Sequence, residues 1–220
     1  MKHILEADSI QLEFEGRSIL SDIYINCYTG KISGLLGRNG AGKSCLMQII
    51  YGSLKCEKSV RFDNVAQYEA FKRPDLLLYL PQFNFIPKSL SLKRIFQDFQ
   101  LNFSFFEKRF PEFSSKYKTS LRYLSNGERR LIELYVILKA RSRFVMLDEP
   151  FTLFNPIQIE KVKELLVEEK ENTGLLITDH LFKHIVDISD NLFVLNNGKT
   201  YLTKSVEDIE TLGYARFNPR

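Results

Sequence analysis

Apolar and polar positions alternate with a period of two through "SIQLEFE" (9–15), "SILSDIYINCY" (18–28) and "KISGLLG" (31–37), which predicts strands. The pattern then changes to helical spacing in "KSCLMQIIYG" (43–52), closed by Gly52. Further strands read as "KSVRFDN" (58–64) and "DLLLYLP" (75–81). From Phe83 to Phe113 the texture becomes aromatic, with nine of the chain's 18 phenylalanines. Ile95, Phe99, Phe103, Phe106 and Phe110 recur there at helical spacing, so a helical insertion is expected. Strand and helix alternate again afterwards: a helix after Ser125, the strand "RFVMLDE", the helix "PIQIEKVKELLVEEK", the strand "GLLIT" and a helix after His180. Asn197-Gly198 between apolar runs signals a terminal hairpin. Strands alternating with helices predict an α/β protein with a mainly parallel sheet.

Composition adds little to that picture. At 44% hydrophobic and 26% charged, the chain reads as an ordinary soluble protein. A formal charge of +4 fits an anionic ligand or an anionic membrane surface, and no nucleic-acid partner is expected. Three cysteines without metal-ligand spacing point to a reducing, cytosolic setting. The first residues lack the apolar stretch of a signal peptide. The longest uncharged run, "LLLYLPQFNFIP", is too short to span a bilayer, so any membrane role is expected to come through a partner.

Chemistry enters with "GRNGAGKS", Gly37 to Ser44, which satisfies G-x-x-x-x-G-K-[ST] between a predicted strand and a predicted helix. Glycines at such spacing let successive backbone N–H groups converge on a phosphate. Lys43 would reach the β- and γ-phosphates of a nucleotide, and the Ser44 hydroxyl would ligate Mg²⁺. Cys45 either packs or turns its N–H to the α-phosphate. In "RFVMLDEP", Asp148 ends an apolar strand where an outer Mg²⁺ partner is expected, and Glu149 follows where a general base would sit. "LSNGE" (124–128) has two readings: Ser125 and Glu128 form a capping box, or Ser125 and Gly127 hold a phosphate at a helix N-terminus.

Taken in order, "GRNGAGKS", "YLPQ", "LSNGE", "VMLDEP" and "LLITDH" resemble the ATPase subunit of ABC transporters over nearly the whole chain. The resemblance implies a P-loop NTPase core (1–83 and 123–220) with an N-terminal antiparallel β subdomain and a helical subdomain over 84–122. It implies ATP and Mg²⁺ as ligands, with Gly37, Asn39, Gly40, Ala41, Gly42, Lys43, Ser44 and Cys45 around the phosphates. Gln82 would touch Mg²⁺ and the attacking water, and His180 would contact the γ-phosphate and hold Glu149 and the water in line. Phe14 would stack on adenine; as an aromatic on an alternating strand it could equally belong to the core. Two cassettes, expected to be identical, would pair head to tail, with Ser125 and Gly127 of one completing the ATP site of the other.

The same resemblance implies a separate membrane permease and a peripheral place on the cytoplasmic face of the membrane. The phenylalanine-rich insertion is the expected permease contact. Three departures stand out. Asn126 replaces a glycine, which suggests a left-handed turn that asparagine tolerates. Asn155 stands where aspartate is usual, and Asp179 directly precedes His180. Together with "GERR", "DEPF" and "YLPQ", "TDH" looks most like the branch of lipopolysaccharide-exporter and branched-chain amino-acid importer ATPases. The alternative is a soluble ATPase of the same family not tied to transport. A GTPase would need an Asn-Lys-x-Asp guanine reader, and the chain has none.

Overall fold

The computed structural model describes residues 2–203 and 206–212; Met1 and the parts of the expected core at 204–205 and 213–220 lie outside the described residues. In chain order the strands and helices begin with β1 (Ile4–Phe14), β2 (Arg17–Leu20), β3 (Tyr24–Tyr28), β4 (Ile32–Leu36) and α1 (Lys43–Tyr51). They continue with β5 (Glu57–Phe62), β6 (Val65–Ala66), β7 (Leu77–Leu80), α2 (Leu92–Asp98), α3 (Phe103–Arg109) and α4 (Asn126–Lys139). The last are β8 (Phe144–Asp148), α5 (Pro156–Glu169), β9 (Gly174–Thr178), α6 (Phe182–Ile188), β10 (Asn191–Asn196), β11 (Lys199–Thr203) and α7 (Val206–Thr211).

Strands β4, β7, β8, β9 and β10 run parallel, and β11 adds an antiparallel edge, in the order β11-β10-β4-β9-β8-β7. Both faces of this sheet are covered. Val145 and Leu147 of β8 pack toward α4, α5 and the insertion, whereas Phe144 and Met146 pack toward α1 and the second sheet. Unbroken burial of β4, β8 and β9 is why they read as apolar runs. The second sheet, of β1, β2, β3, β5 and β6, is antiparallel and closes the opposite layer.

Three expected elements differ. β1 begins at Ile4, not Ser9, because Ser9 at φ 52° is a bulge. Buried positions are Leu5 and Ala7 before it but Ile10 and Leu12 after it, so the alternation changes parity and hides the first half of the strand. The single strand expected over 18–28 is two, parted where the N–H groups of Ser21 and Asp22 turn to the Gly198 carbonyl at 2.8 and 3.3 Å. The run from Ile95 to Phe110 is also two helices. Gln100 at φ 53° ends the first turn sequence, and the Asn102 side chain caps α3 by accepting the Ser104 N–H at 2.9 Å.

The aromatics at helical spacing are mostly core. Phe106 lies at the centre of a cluster, with ring centroids 5.2 Å from Phe96, 5.2 Å from Phe110, 4.9 Å from Phe113 and 4.8 Å from Tyr135 of α4. These rings hold the insertion against α4, so they are not a free contact surface. The phenylalanines left exposed in the stretch are others: Phe83, Phe85 and Phe105.

Candidate functional site

The loops that follow β4, β7, β8 and β9 emerge together at the C-terminal edge of the parallel sheet, where α/β folds bind ligands. After β4, Gly40 and Gly42 take φ values of 78° and 104°, which few residues other than glycine accept. Gly37 is required for a different reason: a Cβ there would lie 2.9 Å from the Leu195 carbonyl oxygen. The Lys43 ammonium folds under the loop and donates to the carbonyls of Gly37 at 2.7 Å and Arg38 at 3.2 Å. Burial pulls its pKa down, and the carboxylates of Glu149, Asp148 and Asp179 pull it back.

Asp148 ends β8 almost completely buried. Burial pushes its carboxyl above the usual carboxylate range, against the hydrogen bonds of the Ser44 and Tyr79 hydroxyls, and neighbouring Glu149 pushes it further. Glu149 holds a left-handed φ of 52° while its N–H donates to the Thr178 carbonyl at 2.8 Å. That conformation brings its Oε2 to three groups: Gln82 Nε2 at 2.8 Å, the Thr152 hydroxyl at 3.3 Å and His180 Nδ1 at 3.6 Å. Asp179, fully buried, accepts the N–H groups of Phe151 and Leu181, each at 2.9 Å, and so ties the loop after β8 to the entry of α6. Its Oδ1 lies 3.3 Å from His180 Nδ1, and burial pushes its carboxyl above the usual range.

A cleft of about 600 Å³ collects most of the residues singled out in the sequence. Phe14 stands on it 48% exposed, a lip rather than a core aromatic. Asn39, Gly40, Gly42, Lys43, Ser44 and Cys45 line one wall, and Gln82, Glu149 and His180 line the rest. Cys45 also packs against the core layer behind α1. Gly37 supports the loop from beneath, and Ala41 faces an adjoining cleft with Arg38 and Asn197.

Ser125 and Gly127 do not line this cleft. The capping box is formed: the Ser125 hydroxyl accepts the Glu128 N–H at 3.2 Å, and Glu128 Oε2 accepts the Ser125 N–H at 2.8 Å. Asn126 is the first residue of α4 and is not in the left-handed region, so the turn expected there is absent and the position asks nothing special of its residue. The steric demand falls on Gly127 instead, where a Cβ would meet the Leu153 carbonyl oxygen at 2.8 Å. Asn155 caps α5 by accepting the Gln158 N–H at 2.9 Å.

Two residues beside the site were not singled out beforehand. Arg130 of α4, 2% exposed, donates to the Pro81 and Asp148 carbonyls, both at 2.5 Å, and to the Glu149 carbonyl at 3.1 Å. One guanidinium thus ties α4 to the Gln82 loop and to the backbone that carries both strand-end acids. Glu133, one turn on and fully buried, accepts the Ile86 N–H at 3.0 Å. Separate from the cleft, a groove of about 590 Å³ runs between core and insertion, walled by Tyr51, Tyr79, Phe83, Phe85 and Phe99 and without a charged residue.

Known proteins give the arrangement its context. The family profile described as "ABC transporter" matches residues 20–152. The chain is 27% identical to the lipopolysaccharide export system ATP-binding protein LptB of Acidithiobacillus ferridurans, covering 95% of this chain and 93% of that one. It is 28% identical to LptB of Escherichia coli strain K12, covering 88% and 87%. The ATP-binding subunit of an ABC transporter shares the fold with a TM-score of 0.79 at 19% identity, covering 96% of this chain and 94% of that one. A phosphate loop, a buried strand-end aspartate and a profile match over more than half the chain agree: this chain belongs to the ABC transporter family, as one of its ATP-hydrolysing cassettes.

Proposed function

We propose that this cassette drives transport through a separate membrane permease, working as a head-to-tail pair of identical chains. The observation that carries the catalytic part is the convergence of Gln82, Thr152 and His180 on Glu149 Oε2 at the mouth of the phosphate-loop cleft. Glu149 is the general base that takes the proton of the attacking water. His180 holds Glu149 in line and reaches the γ-phosphate. Gln82 spends its amide N–H on Glu149, so its carbonyl oxygen is the polar atom left for water or metal. Lys43 leaves its loop carbonyls for the β- and γ-phosphates, the loop N–H groups wrap the chain of phosphates, and Phe14 stacks on adenine.

Mg²⁺ fits the donors present. The Ser44 hydroxyl, the Asp148 carboxylate and the Gln82 amide are hard oxygen ligands. Few protein ligands are needed when phosphates supply the rest. A buried aspartate beside a second carboxylate is also a site that a cation relieves. Bound there, Mg²⁺ would neutralise charge on the transferred phosphoryl group.

Ser125 and Gly127 sit outside their own chain's cleft, which supports the reading that they serve a partner's nucleotide. No described helix is long and apolar enough to cross a membrane, and the aromatic groove suits a short apolar helix of the permease. That docking would place the cassette on the cytoplasmic face. The relatives named as lipopolysaccharide export ATPases make an export permease the partner to test first.

Pairing is tested by mixing two inactive variants, Lys43→Ala and Ser125→Arg. In a trans arrangement the mixed dimer gathers both defects into one site and leaves the other intact. Half the dimers are mixed, so about a quarter of wild-type activity returns, by the symmetry of the pair. If "LSNGE" served its own chain, every site would keep a defect and mixing would restore nothing.

A further inference from the structure

We propose that Tyr79 is a positioning residue that joins the metal-side carboxylate of Asp148 to the aromatic groove, so that what fills the groove is felt at the nucleotide cleft. The inference rests on the reading of Asp148 as a Mg²⁺ partner and of the groove as the permease seat. Tyr79 lies on β7, paired in parallel register with Met146 of β8, one strand over from Asp148. Its hydroxyl donates to Asp148 Oδ2 at 3.1 Å. Its ring lines the groove together with Tyr51, Phe83 and Phe85, and packs against the Tyr51 ring at a tilt of 52° with centroids 5.3 Å apart. The Tyr51 ring in turn touches Phe71 at 6.2 Å, which is 41% exposed.

A phenol is a rigid plate with two rotatable bonds. Pressure on its groove face cannot be absorbed along the ring and must move the hydroxyl or the strand. The hydroxyl carries one oxygen of Asp148 with it, and a hydrogen-bond partner of this kind sets how a carboxylate presents itself to a metal. Three residues further along the chain comes Gln82, so the same strand end feeds both a proposed metal ligand and the wall of the groove. Tyr79 therefore touches both sites with one side chain.

Tyr79→Phe is the decisive variant, because it keeps the ring and the groove wall and removes only the hydroxyl. Three readouts separate positioning from packing. Binding of a fluorescent ATP analogue in EDTA should be unchanged. With ATP present, half-saturation by Mn²⁺, followed by its spin-resonance signal, should need roughly tenfold more metal, the lower end of what losing a ligand's hydrogen-bond partner costs. With Tyr79 retained and labelled as 3-fluorotyrosine, its fluorine resonance should shift on adding Mg²⁺ and ADP, and the Phe83→Leu substitution should shift it as well. An unchanged Mn²⁺ requirement in a folded Tyr79→Phe chain overturns the inference, as does a fluorine signal blind to metal while nucleotide binds. A wild-type chain that hydrolyses ATP without any divalent cation would instead overturn the metal assignment on which the inference rests.

Discussion

Replacing Arg130 by methionine isolates what its buried guanidinium does. Methionine has similar bulk, so the change removes charge and donors with little cavity. Three backbone carbonyls, of Pro81, Asp148 and Glu149, lose their donor. Burial pulls the Arg130 pKa down, and Glu133, Asp148, Asp179 and Glu149 together keep the charge in place. Without it Glu133 is left as a fully buried carboxyl that burial already pushes above the usual range, supported by the Ile86 and Phe85 N–H groups and the charge of Arg129. Removing one partner from a buried charged group costs about 3–5 kcal/mol. Counting each carbonyl separately at about 1–3 kcal/mol would overshoot, since neighbouring losses share one relaxation.

Against a domain stability of about 5–15 kcal/mol, that loss is a large fraction of the whole. With a urea dependence of about 2–3 kcal/mol per molar, the unfolding midpoint should fall by roughly 1–2 M. Far-UV circular dichroism suits the assay, since the chain contains no tryptophan. Arg130→Lys, which keeps charge but not the forked donors, should lose about half as much. Adding Glu133→Gln to Arg130→Met should recover part of the loss by removing the stranded carboxylate. A midpoint within about 0.3 M of wild type for Arg130→Met, which by the same dependence is under about 1 kcal/mol, would show that the guanidinium does not hold these groups together.

Glu149→Gln should retain ATP binding and slow hydrolysis by about 10²–10⁴-fold, the usual worth of a general base; near-normal turnover would remove Glu149 from the mechanism. Phe83→Ala, at a residue 68% exposed on the groove, and Phe85→Ala should weaken recruitment to permease-containing membranes while leaving metal-free nucleotide binding unchanged, and salt should not mimic them because the groove has no charged lining. Recruitment unaffected by either places the contact elsewhere. Asp148, Asp179 and Glu133 all have folded pKa values raised by burial, so folding binds protons at these groups. The stability they allow is full below the unfolded value of about 4 and declines as pH rises through the raised values. Asp148→Asn removes one such group while keeping an acceptor oxygen, so its melting temperature should exceed wild type at pH 8 and converge on it near pH 4. Asp63, lowered chiefly by the Ile4 N–H, acts with opposite sign in a lower window, losing its contribution as pH falls below about 4.

Motifs at strand ends were legible because they are local. The phosphate loop, Gln82, Asp148-Glu149 and His180 each follow an apolar run, and parallel strands bring their C-terminal ends together whatever lies between. Arg130 and Glu133 were hidden by their residue type. Charged residues three apart on a helix ordinarily mark a solvated face, so nothing in their type or spacing points inward. Yet Leu131, Ile132, Leu134, Tyr135 and Val136 surround them, and all are buried, so α4 has no solvent face at that level for the charges to occupy. The break in the insertion was hidden for the opposite reason. Phe99, Phe103, Phe106 and Phe110 keep a helical period across Gln100 and Asn102, so spacing alone joined what a capping asparagine divides.

The Asn126 expectation failed in a more instructive way, because strain is present but displaced. Glu149 and Leu153, neither of them glycine, take φ values of 52° and 73° at the two ends of one short loop, at about 1–2 kcal/mol each. Such conformations persist only where surroundings impose them. At Glu149 they do so through the Thr178 carbonyl, Arg130 on its own carbonyl and Asp179 on the Phe151 N–H, and the result aims the carboxylate into the cleft. At Leu153 the carbonyl is set against Gly127, while the side chain is left 61% exposed beside "LSNGE". An exposed leucine in a strained conformation contributes little to its own fold. Its position fits a contact made with another chain. The same loop therefore carries strain inward at the base and outward at the surface, and the proposed head-to-tail pairing would use both ends, setting a neighbour against Leu153 while the other end aims Glu149.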